Sequence, residues 1–119
     1  MARKEEIVEF VIADIDLYLI NKARELRVAR GISQLKLSIA LGLTEGAVSK
    51  IESPKQRAKY NIRHINLLAK ALRCNPSDLL PPKPLKNDLV RVKIKIIRNS
   101  TARKGEPNYQ IIEKVPLKD

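Results

Sequence analysis

The sequence is poor in the residues that many enzymes and zinc domains use. It has one cysteine, Cys74, so it can form no internal disulfide and no cysteine-based zinc site. Its one histidine, His64, would have to serve any Ser-His-Asp catalytic site. Aromatic residues make up 3% of the chain, so the core must be built from aliphatic side chains. The scarcity of cysteine fits a reducing, intracellular compartment.

No stretch approaches the roughly 20 apolar residues that a transmembrane helix needs. The first ten residues lack the apolar core of a signal peptide, because Glu5, Glu6 and Glu9 interrupt it. The sequence offers no glycine-rich phosphate loop, no nucleophile–base pair and no convincing metal-ligand spacing. We therefore expect a cytoplasmic protein that is not an enzyme and that uses no cofactor or metal.

Positive charge is what the chain has in excess. Its 119 residues include 24 Lys and Arg against 13 Asp and Glu, which gives a net charge of +11 and a pI of about 10.0. This balance predicts an anionic partner, with nucleic acid favoured over a membrane surface. The alternative is a basic protein whose charge serves solubility alone. The length predicts one domain with room for an appended element.

Residues 33–52, SQLKLSIALGLTEGAVSKIE, are the most informative stretch and predict two short helices joined by a tight turn. Ser33 is a suitable N-cap for the first helix. Gly42 is expected to end that helix, because a residue that tolerates positive φ is favoured there. The residues predicted on its buried face are Leu37, Ala40 and Leu41.

The second of these helices is predicted to have Thr44 as its cap. Its apolar residues Ala47, Val48 and Ile51 recur at helical spacing on one face. The residues left on the outward face are Glu45, Gly46, Ser49 and Lys50. A short, cationic, outward-facing helix braced by a preceding one suits insertion into the DNA major groove.

The segments before this pair predict one clear helix and one ambiguous element. Residues 1–13 fit a β-strand, because they are rich in β-branched residues, or the start of one long helix, because apolar residues recur at i, i+4. We favour a separate N-terminal element. Asp16 is predicted to cap a helix over residues 16–30, which Gly31 ends. The inward residues of that helix are predicted to be Leu19, Ala23 and Leu26.

The segments after the pair predict a loop and two more helices. Residues 53–60 contain Pro54 and three cations, and so predict a basic loop. Asn61 is expected to cap a fourth helix, with His64 on its surface. Asn75-Pro76 is expected to start a short fifth helix. The helical segments together have the size of a compact domain.

Beyond Pro81, Pro82 and Pro84 the apolar period changes from helical to alternating. Residues 90–96 predict a strand with one apolar and one basic face, and residues 109–115 predict a second strand. A two-stranded hairpin is marginal in water. We expect the helical domain, the N-terminal segment or a second subunit to cover the apolar face Val90, Val92, Ile94 and Ile96. The basic residues Arg91, Lys93 and Lys95 would protect the strand from edge pairing or, less favoured, lie along DNA.

From about Leu19 to Leu80 the chain resembles the lambda-repressor-like helix-turn-helix domains of the Cro/repressor (XRE) family. Three pieces carry the resemblance in the right order and spacing: RELR followed by GISQ in residues 24–34, GLT followed by VSKIE in residues 42–52, and LAKAL followed by PSDLL in residues 68–80. Ser38 departs from the alanine usual at its position, and Pro54 replaces a common glycine. The strands after Leu85 lie outside the resemblance.

The resemblance implies sequence-specific binding of double-stranded DNA, usually as a dimer on a two-fold site. The base contacts that it implies are Glu45, Gly46, Ser49 and Lys50. The phosphate contacts that it implies are Gln34, Thr44, Ser53, Lys55, Arg57 and Lys59. Glu52 is expected to be structural and to pair with a first-helix arginine such as Arg27.

The sequence therefore predicts a mainly α protein with three parts. These are an N-terminal extension (1–15), a five-helix DNA-binding domain (16–82) and a C-terminal β-hairpin (83–119) for dimerisation or partner docking. The predicted function is a dimeric transcriptional regulator, a repressor rather than an activator. The alternative is an antitoxin-like module that binds a small protein partner through the hairpin and also binds its own promoter.

Overall fold

The computed structural model describes residues 5–53, 58–97 and 109–117. Its elements in chain order are β1 (Glu5–Ala13), α1 (Asp14–Ala29), α2 (Gln34–Ala40), α3 (Ala47–Glu52), α4 (Ile62–Leu72), a 3₁₀ turn (Pro76–Leu79), β2 (Leu89–Ile97) and β3 (Tyr109–Pro116). The elements form two compact units. The helical unit is Ile15–Lys86, and the sheet unit combines the chain up to Asp14 with the chain from Asn87 onward.

The sheet unit is a three-stranded antiparallel sheet in the order β1-β2-β3. The N-terminal segment is thus a strand, and its pairing with β2 brings Val8 opposite Ile94 and Phe10 opposite Val92. β2 also pairs with β3, with a register irregularity at Lys93/Ile94. The predicted hairpin was therefore incomplete, and a mainly α class was wrong. β1, which is rich in β-branched residues, pairs with β2 on the side opposite β3. The protein is therefore mixed α/β.

The apolar face of β2 is buried within a single chain. Val90, Val92 and Ile94 are fully buried and Ile96 is 6% exposed. The prediction that this face needs cover is met inside the chain, so a second subunit is not required there. Burial of such side chains removes apolar surface from water and contributes roughly 1.5–3 kcal/mol each.

The basic face of β2 is compensated by glutamates on both neighbouring strands. Arg91 Nη1 lies 3.6 Å from Glu9 Oε1 on β1, and Lys93 Nζ lies 3.7 Å from Glu113 Oε2 on β3. Because β2 is the central strand, the prediction that these cations protect a sheet edge is wrong. Their cross-strand pairing also leaves less free positive charge for DNA.

The first helix begins two residues earlier than the sequence predicted. Asp14 is its first residue, and the Asp14 backbone N–H donates to the Asp88 carbonyl at 2.8 Å. Asp16 therefore lies in the first turn and is not the cap. Its carboxylate pairs with Lys59 Nζ at 3.2 Å. Gly31 was predicted to end this helix; it follows α1 with φ of 65°, a positive value that glycine adopts without strain.

The described helical unit has four α-helices, and the predicted fifth helix is a single 3₁₀ turn. That turn is held at its start by Asp78 Oδ2, which accepts from the Asn75 backbone N–H at 2.8 Å. At the start of α4, the Asn61 side chain accepts from the His64 backbone N–H, and His64 Nδ1 accepts from the Asn61 backbone N–H. His64 is 8% exposed, so its predicted surface position was wrong. A capping box fixes the ring instead.

The core of the helical unit is mainly aliphatic, as the low aromatic content predicted, and Tyr60 is its buried aromatic residue. Its largest fully buried apolar side chains are Leu37, Val48, Leu68, Leu72 and Leu79. These residues come from α2, α3, α4 and the 3₁₀ turn, so they hold the two helices of residues 33–52 against the rest of the unit.

Candidate nucleic-acid interface

The first helix of the pair is capped at both ends. Ser33 Oγ accepts from the Lys36 backbone N–H at 3.0 Å, as expected for an N-cap. After α2, Gly42 has φ of 70°, and the Gly42 and Leu43 N–H groups donate to the carbonyls of Ile39 and Ser38, both at 2.9 Å. This is a Schellman arrangement. Leu37 and Leu41 are buried as predicted, whereas Ala40 is exposed.

The second helix, α3, begins at Ala47, later than the sequence predicted. Thr44 precedes it, and its carbonyl accepts from the Ala47 N–H at 3.0 Å. Gly46 is the N-cap and provides no side-chain hydrogen bond. Two predictions were therefore wrong: Thr44 is not the cap of this helix, and Gly46 is not on the outward face within it. Glycine inside a helix costs about 1 kcal/mol relative to alanine. That cost does not apply at Gly46, because glycine is tolerated as an N-cap.

Ser38 supplies the missing cap from the neighbouring helix. Its hydroxyl accepts from the Val48 backbone N–H at 3.0 Å and donates to the Gln34 carbonyl at 2.9 Å. The residue is fully buried. In the sequence, Ser38 stood out only as a departure from the alanine usual at its position in the Cro/repressor (XRE) family. The hydroxyl that alanine lacks was the signal of this capping role.

The four residues predicted to contact bases lie together on the solvent side. Glu45 and Gly46 form the turn before α3, and Ser49 and Lys50 lie within it; all four are exposed. Val48 and Ile51 are buried behind them. Hydrogen-bonding side chains are thus presented on a short element whose other face is fixed by the core.

The residues predicted to bind phosphate have different surroundings. Gln34 is half-buried, and its Nε2 donates to Glu52 Oε1 at 3.0 Å, which leaves its second N–H available. Thr44 is exposed and Ser53 is half-buried. Lys59 is exposed beside Asp16. The other two predicted contacts, Lys55 and Arg57, lie outside the described residues.

A buried ion pair connects the helix before the pair to the end of α3. Arg27 Nε and Nη2 each donate to a carboxylate oxygen of Glu52 at 2.8 Å. Arg27 Nη1 also donates to the Ile32 carbonyl at 2.9 Å. The predicted pairing of Glu52 with Arg27 is therefore confirmed. This carboxylate acts within the fold, because its oxygens are taken by Arg27 and Gln34.

Tyr60 lies in the electrostatic environment of this ion pair. Burial first, and the Glu52 carboxylate second, raise the pKa of the Tyr60 hydroxyl above its ordinary value, while Arg27 lowers it in part. The residue is 3% exposed, and among the described residues nothing forms a hydrogen bond with its hydroxyl. The ring packs edge-on to His64, with centroids 6.0 Å apart. Tyr60 thus acts as an apolar core residue.

Positive charge is concentrated in the unit that carries this surface. Residues 15–86 contain 14 Lys and Arg against five Asp and Glu, whereas the rest of the chain contains ten against eight. The helical unit therefore carries most of the net positive charge that would attract a polyanion. A family model described as the Cro/C1-type HTH DNA-binding domain matches residues 23–84, more than half of the chain.

The chain belongs to the Cro/C1-type helix-turn-helix family. This confirms the resemblance drawn from the three sequence pieces, and the Cro/C1-type match covers α2, α3, α4 and the 3₁₀ turn. The matched domain is a DNA-binding domain and not a catalytic one. No curated protein and no solved structure shows significant similarity to the chain.

Two negative findings concern the described part of this family member. Among residues 5–53, 58–97 and 109–117, no helix has the length and apolar character to cross a membrane. In the same ranges, no group of three or more His, Cys, Asp and Glu side chains has the geometry to hold a metal ion.

Proposed function

We propose that the protein is a cytoplasmic, sequence-specific regulator that binds double-stranded DNA as a homodimer and represses transcription. The observation that carries this proposal is the exposed row Glu45, Gly46, Ser49 and Lys50 on an element braced by α2. The same unit carries most of the net positive charge. An inserted α3 would bring this row to the base edges of the major groove.

Each residue of the row has a different hydrogen-bonding capacity. Lys50 can donate to guanine O6 and N7, Glu45 can accept from the cytosine N4 amine, and Ser49 can do either. Gly46 offers no side chain, so its contribution is close approach of the backbone. Three side chains give limited direct readout, and sequence-dependent DNA shape supplies the rest of the specificity.

The phosphate contacts fix the position of α3 and carry no sequence information themselves. Gln34 can use its second N–H for a phosphate while the first stays on Glu52. Thr44 and Ser53 contribute hydroxyl donors on either side of α3. On binding DNA, Lys59 would give up its ion pair with Asp16 and form one with a phosphate. Lys55 and Arg57 complete the set from their place in the sequence.

Repression follows from occupancy, since a bound protein blocks access to its site without contacting polymerase. The homodimer follows from the two-fold sites that such domains use. Burial of the apolar face of β2 within one chain favours a different surface for the dimer interface. Sedimentation at micromolar concentration tests this part: a monomer both with and without a bound duplex would refute the dimer.

Selection of binding sites from random duplexes tests the proposed function directly. We expect a single enriched sequence with two related half-sites. Lys50→Ala should relax preference at particular base pairs, whereas Lys70→Ala, an exposed lysine of α4 in the same unit, is the matched control and should leave preference unchanged. A selection that enriches no sequence would show that binding, if present, is non-specific.

A salt titration measures the phosphate contribution separately. The logarithm of affinity should fall linearly with the logarithm of salt concentration, with a slope of about −0.9 per phosphate neutralised. Replacing Lys55 or Arg57 with alanine should make the slope shallower by about one such step and weaken all sequences alike. If these variants instead changed base preference, the assignment of roles would be wrong.

A second candidate function is binding of a small protein partner, as in antitoxins. The observation that favours it is strand β3, on which Ile111 and Ile112 are 44% and 48% exposed and Val115 is 37% exposed. Exposed apolar residues on an outer strand suit strand addition by a partner. Purification of the tagged chain from its native cells should recover one small protein, and Ile112→Glu should abolish the association without affecting DNA binding.

A further inference from the structure

The Ser38 hydroxyl caps the start of α3, the helix that is proposed to enter the DNA major groove. An α-helix leaves its first four N–H groups without partners inside the helix, and an N-cap side chain normally satisfies the second or third. In α3, Val48 is the second residue after the N-cap Gly46. Its N–H donates to Ser38 Oγ at 3.0 Å. A residue of α2 thus performs the capping that Gly46 cannot perform.

The local geometry makes this contact hard to replace. Gly46 has φ of −92° and ψ of 4°, whereas a self-capping side chain requires extended backbone. A serine or aspartate at Gly46 would therefore not restore the same bond. Ser38 Oγ is also fixed in direction, because it donates to the Gln34 carbonyl at 2.9 Å and so presents a lone pair to Val48.

The same residue also closes the turn between the helices. The Ser38 carbonyl accepts from the Leu43 N–H at 2.9 Å, and its side chain is fully buried together with that of Val48. One residue therefore fixes both the exit from α2, through its backbone, and the entry to α3, through its hydroxyl. In a water-free site each bond is stronger, and its loss leaves Val48 N–H without a partner.

We propose that Ser38 is the positioning residue that sets the placement of α3 on DNA, and so controls base discrimination without touching DNA. This rests on the proposed function. Glu45 and Gly46 directly precede the helix start that Ser38 holds, and Ser49 follows Val48. A change in the direction of that first turn would move all three relative to the base edges.

The test compares two serine-to-alanine variants of the full chain. Ser38→Ala removes the cap of α3 and leaves almost no cavity. Ser33→Ala is the matched control, because it removes a cap of the same kind from α2. Affinity is measured for the duplex recovered by selection and for its single base-pair variants. We expect Ser38→Ala to reduce discrimination about three- to tenfold, the size of effect that caps produce, with an unchanged salt slope, and Ser33→Ala to preserve discrimination.

Two results would overturn the proposal: full discrimination in Ser38→Ala, or an equal loss in both variants, which would indicate general destabilisation. Amide hydrogen exchange provides a second test, which is carried out on the protein without DNA. Val48 should be protected in the wild-type protein, and its exchange should rise about tenfold in Ser38→Ala but not in Ser33→Ala. Rapid Val48 exchange in the wild type would refute the cap itself. Failure of selection with normal Val48 protection would refute the proposed function alone.

Discussion

Arg27 donates two hydrogen bonds to the Glu52 carboxylate, and neither residue is more than 9% exposed. This pairing gives the first prediction. Glu52→Gln should destabilise the protein by about 3–5 kcal/mol, because it leaves the Arg27 guanidinium buried without a counter-charge. Urea unfolding measures the loss. Glu25→Gln, at the exposed pair with Lys22, is the control and should cost no more than about 0.5 kcal/mol.

A double replacement separates the strength of the pair from the cost of breaking it. Arg27→Met combined with Glu52→Leu should recover much of the stability lost in Glu52→Gln, since no charge is then left buried. If the double variant were as unstable as the single one, the ion pair itself would be strongly favourable and the account of an uncompensated charge would be wrong.

Tyr60 yields a prediction of the opposite sign. Tyr60→Phe should leave stability unchanged or raise it by about 1 kcal/mol, because it removes a buried hydroxyl that has no hydrogen-bond partner among the described residues. Tyr60→Ala, which empties the site, should cost about 3–5 kcal/mol by analogy with other aromatic truncations. Thermal unfolding of both variants measures the difference. A clear loss in Tyr60→Phe would reveal a partner for the hydroxyl.

Tyrosine and phenylalanine at position 60 should also differ in how the stability of the protein changes at high pH. The folded pKa of Tyr60 is raised, so its stabilising contribution is full below the unfolded value of about 10 and declines as pH rises above it. The wild-type protein should therefore lose stability at high pH more steeply than Tyr60→Phe. Parallel alkaline profiles would show that Tyr60 ionises equally easily in both states.

His64 makes stability sensitive to mild acid. Burial first, and the Arg63 guanidinium second, lower the pKa of His64, and its Nδ1 must be neutral to accept from Asn61. The unfolded chain then binds more protons below about pH 6.5. The His64 contribution is full above that pH and is lost as pH falls, by at most about 1.4 kcal/mol per pH unit.

His64→Gln is the variant that checks this slope. Glutamine at the third helical position can keep the capping box, and it does not titrate. Chemical unfolding between pH 5 and pH 8 should show a shallower profile for His64→Gln than for the wild type. Identical profiles would assign the acid sensitivity to other groups.

The sheet provides a test of burial within one chain. Ile94→Ala should destabilise the sheet unit by about 2–5 kcal/mol, because it opens a cavity beside Val92. Ile111→Ala, opposite Ile94 on β3 and half exposed, should cost much less. Urea unfolding of both variants measures the difference. An equally small loss of stability in both variants would show that the Ile94 side chain is not buried.

The sequence predicted the helical unit well because its signals are local. Ser33 marks a helix start through its side-chain hydroxyl, and Gly31 and Gly42 mark helix ends through their tolerance of positive φ. The apolar spacing around Leu37 and Val48 identifies the buried faces. The Arg27–Glu52 pair was predicted only with the help of the family resemblance. Where α3 begins was missed, because the cap of that helix comes from Ser38, ten residues away.

The sheet was harder to predict because it depends on partners that are distant in sequence. Alternation in residues 90–96 identified β2, but nothing local shows that Glu9 and Glu113 lie across from its cations. Position on the central strand, not residue type, decides what Arg91 and Lys93 do. Because the partner strand β2 is distant in sequence, residues 1–13 could not be assigned to a strand rather than a helix from the sequence alone.

The pairing of β1 with β2 has a consequence for how the chain assembles. Ala13 and Leu89 are register partners, yet the whole helical unit lies between them in the sequence. Contacts within that unit are closer in sequence and carry a smaller loop-closure cost. During synthesis, β1 is made before β2 and must wait for β2, the strand with which it pairs, to emerge. The earliest of the three strands is therefore among the last to acquire its native neighbour.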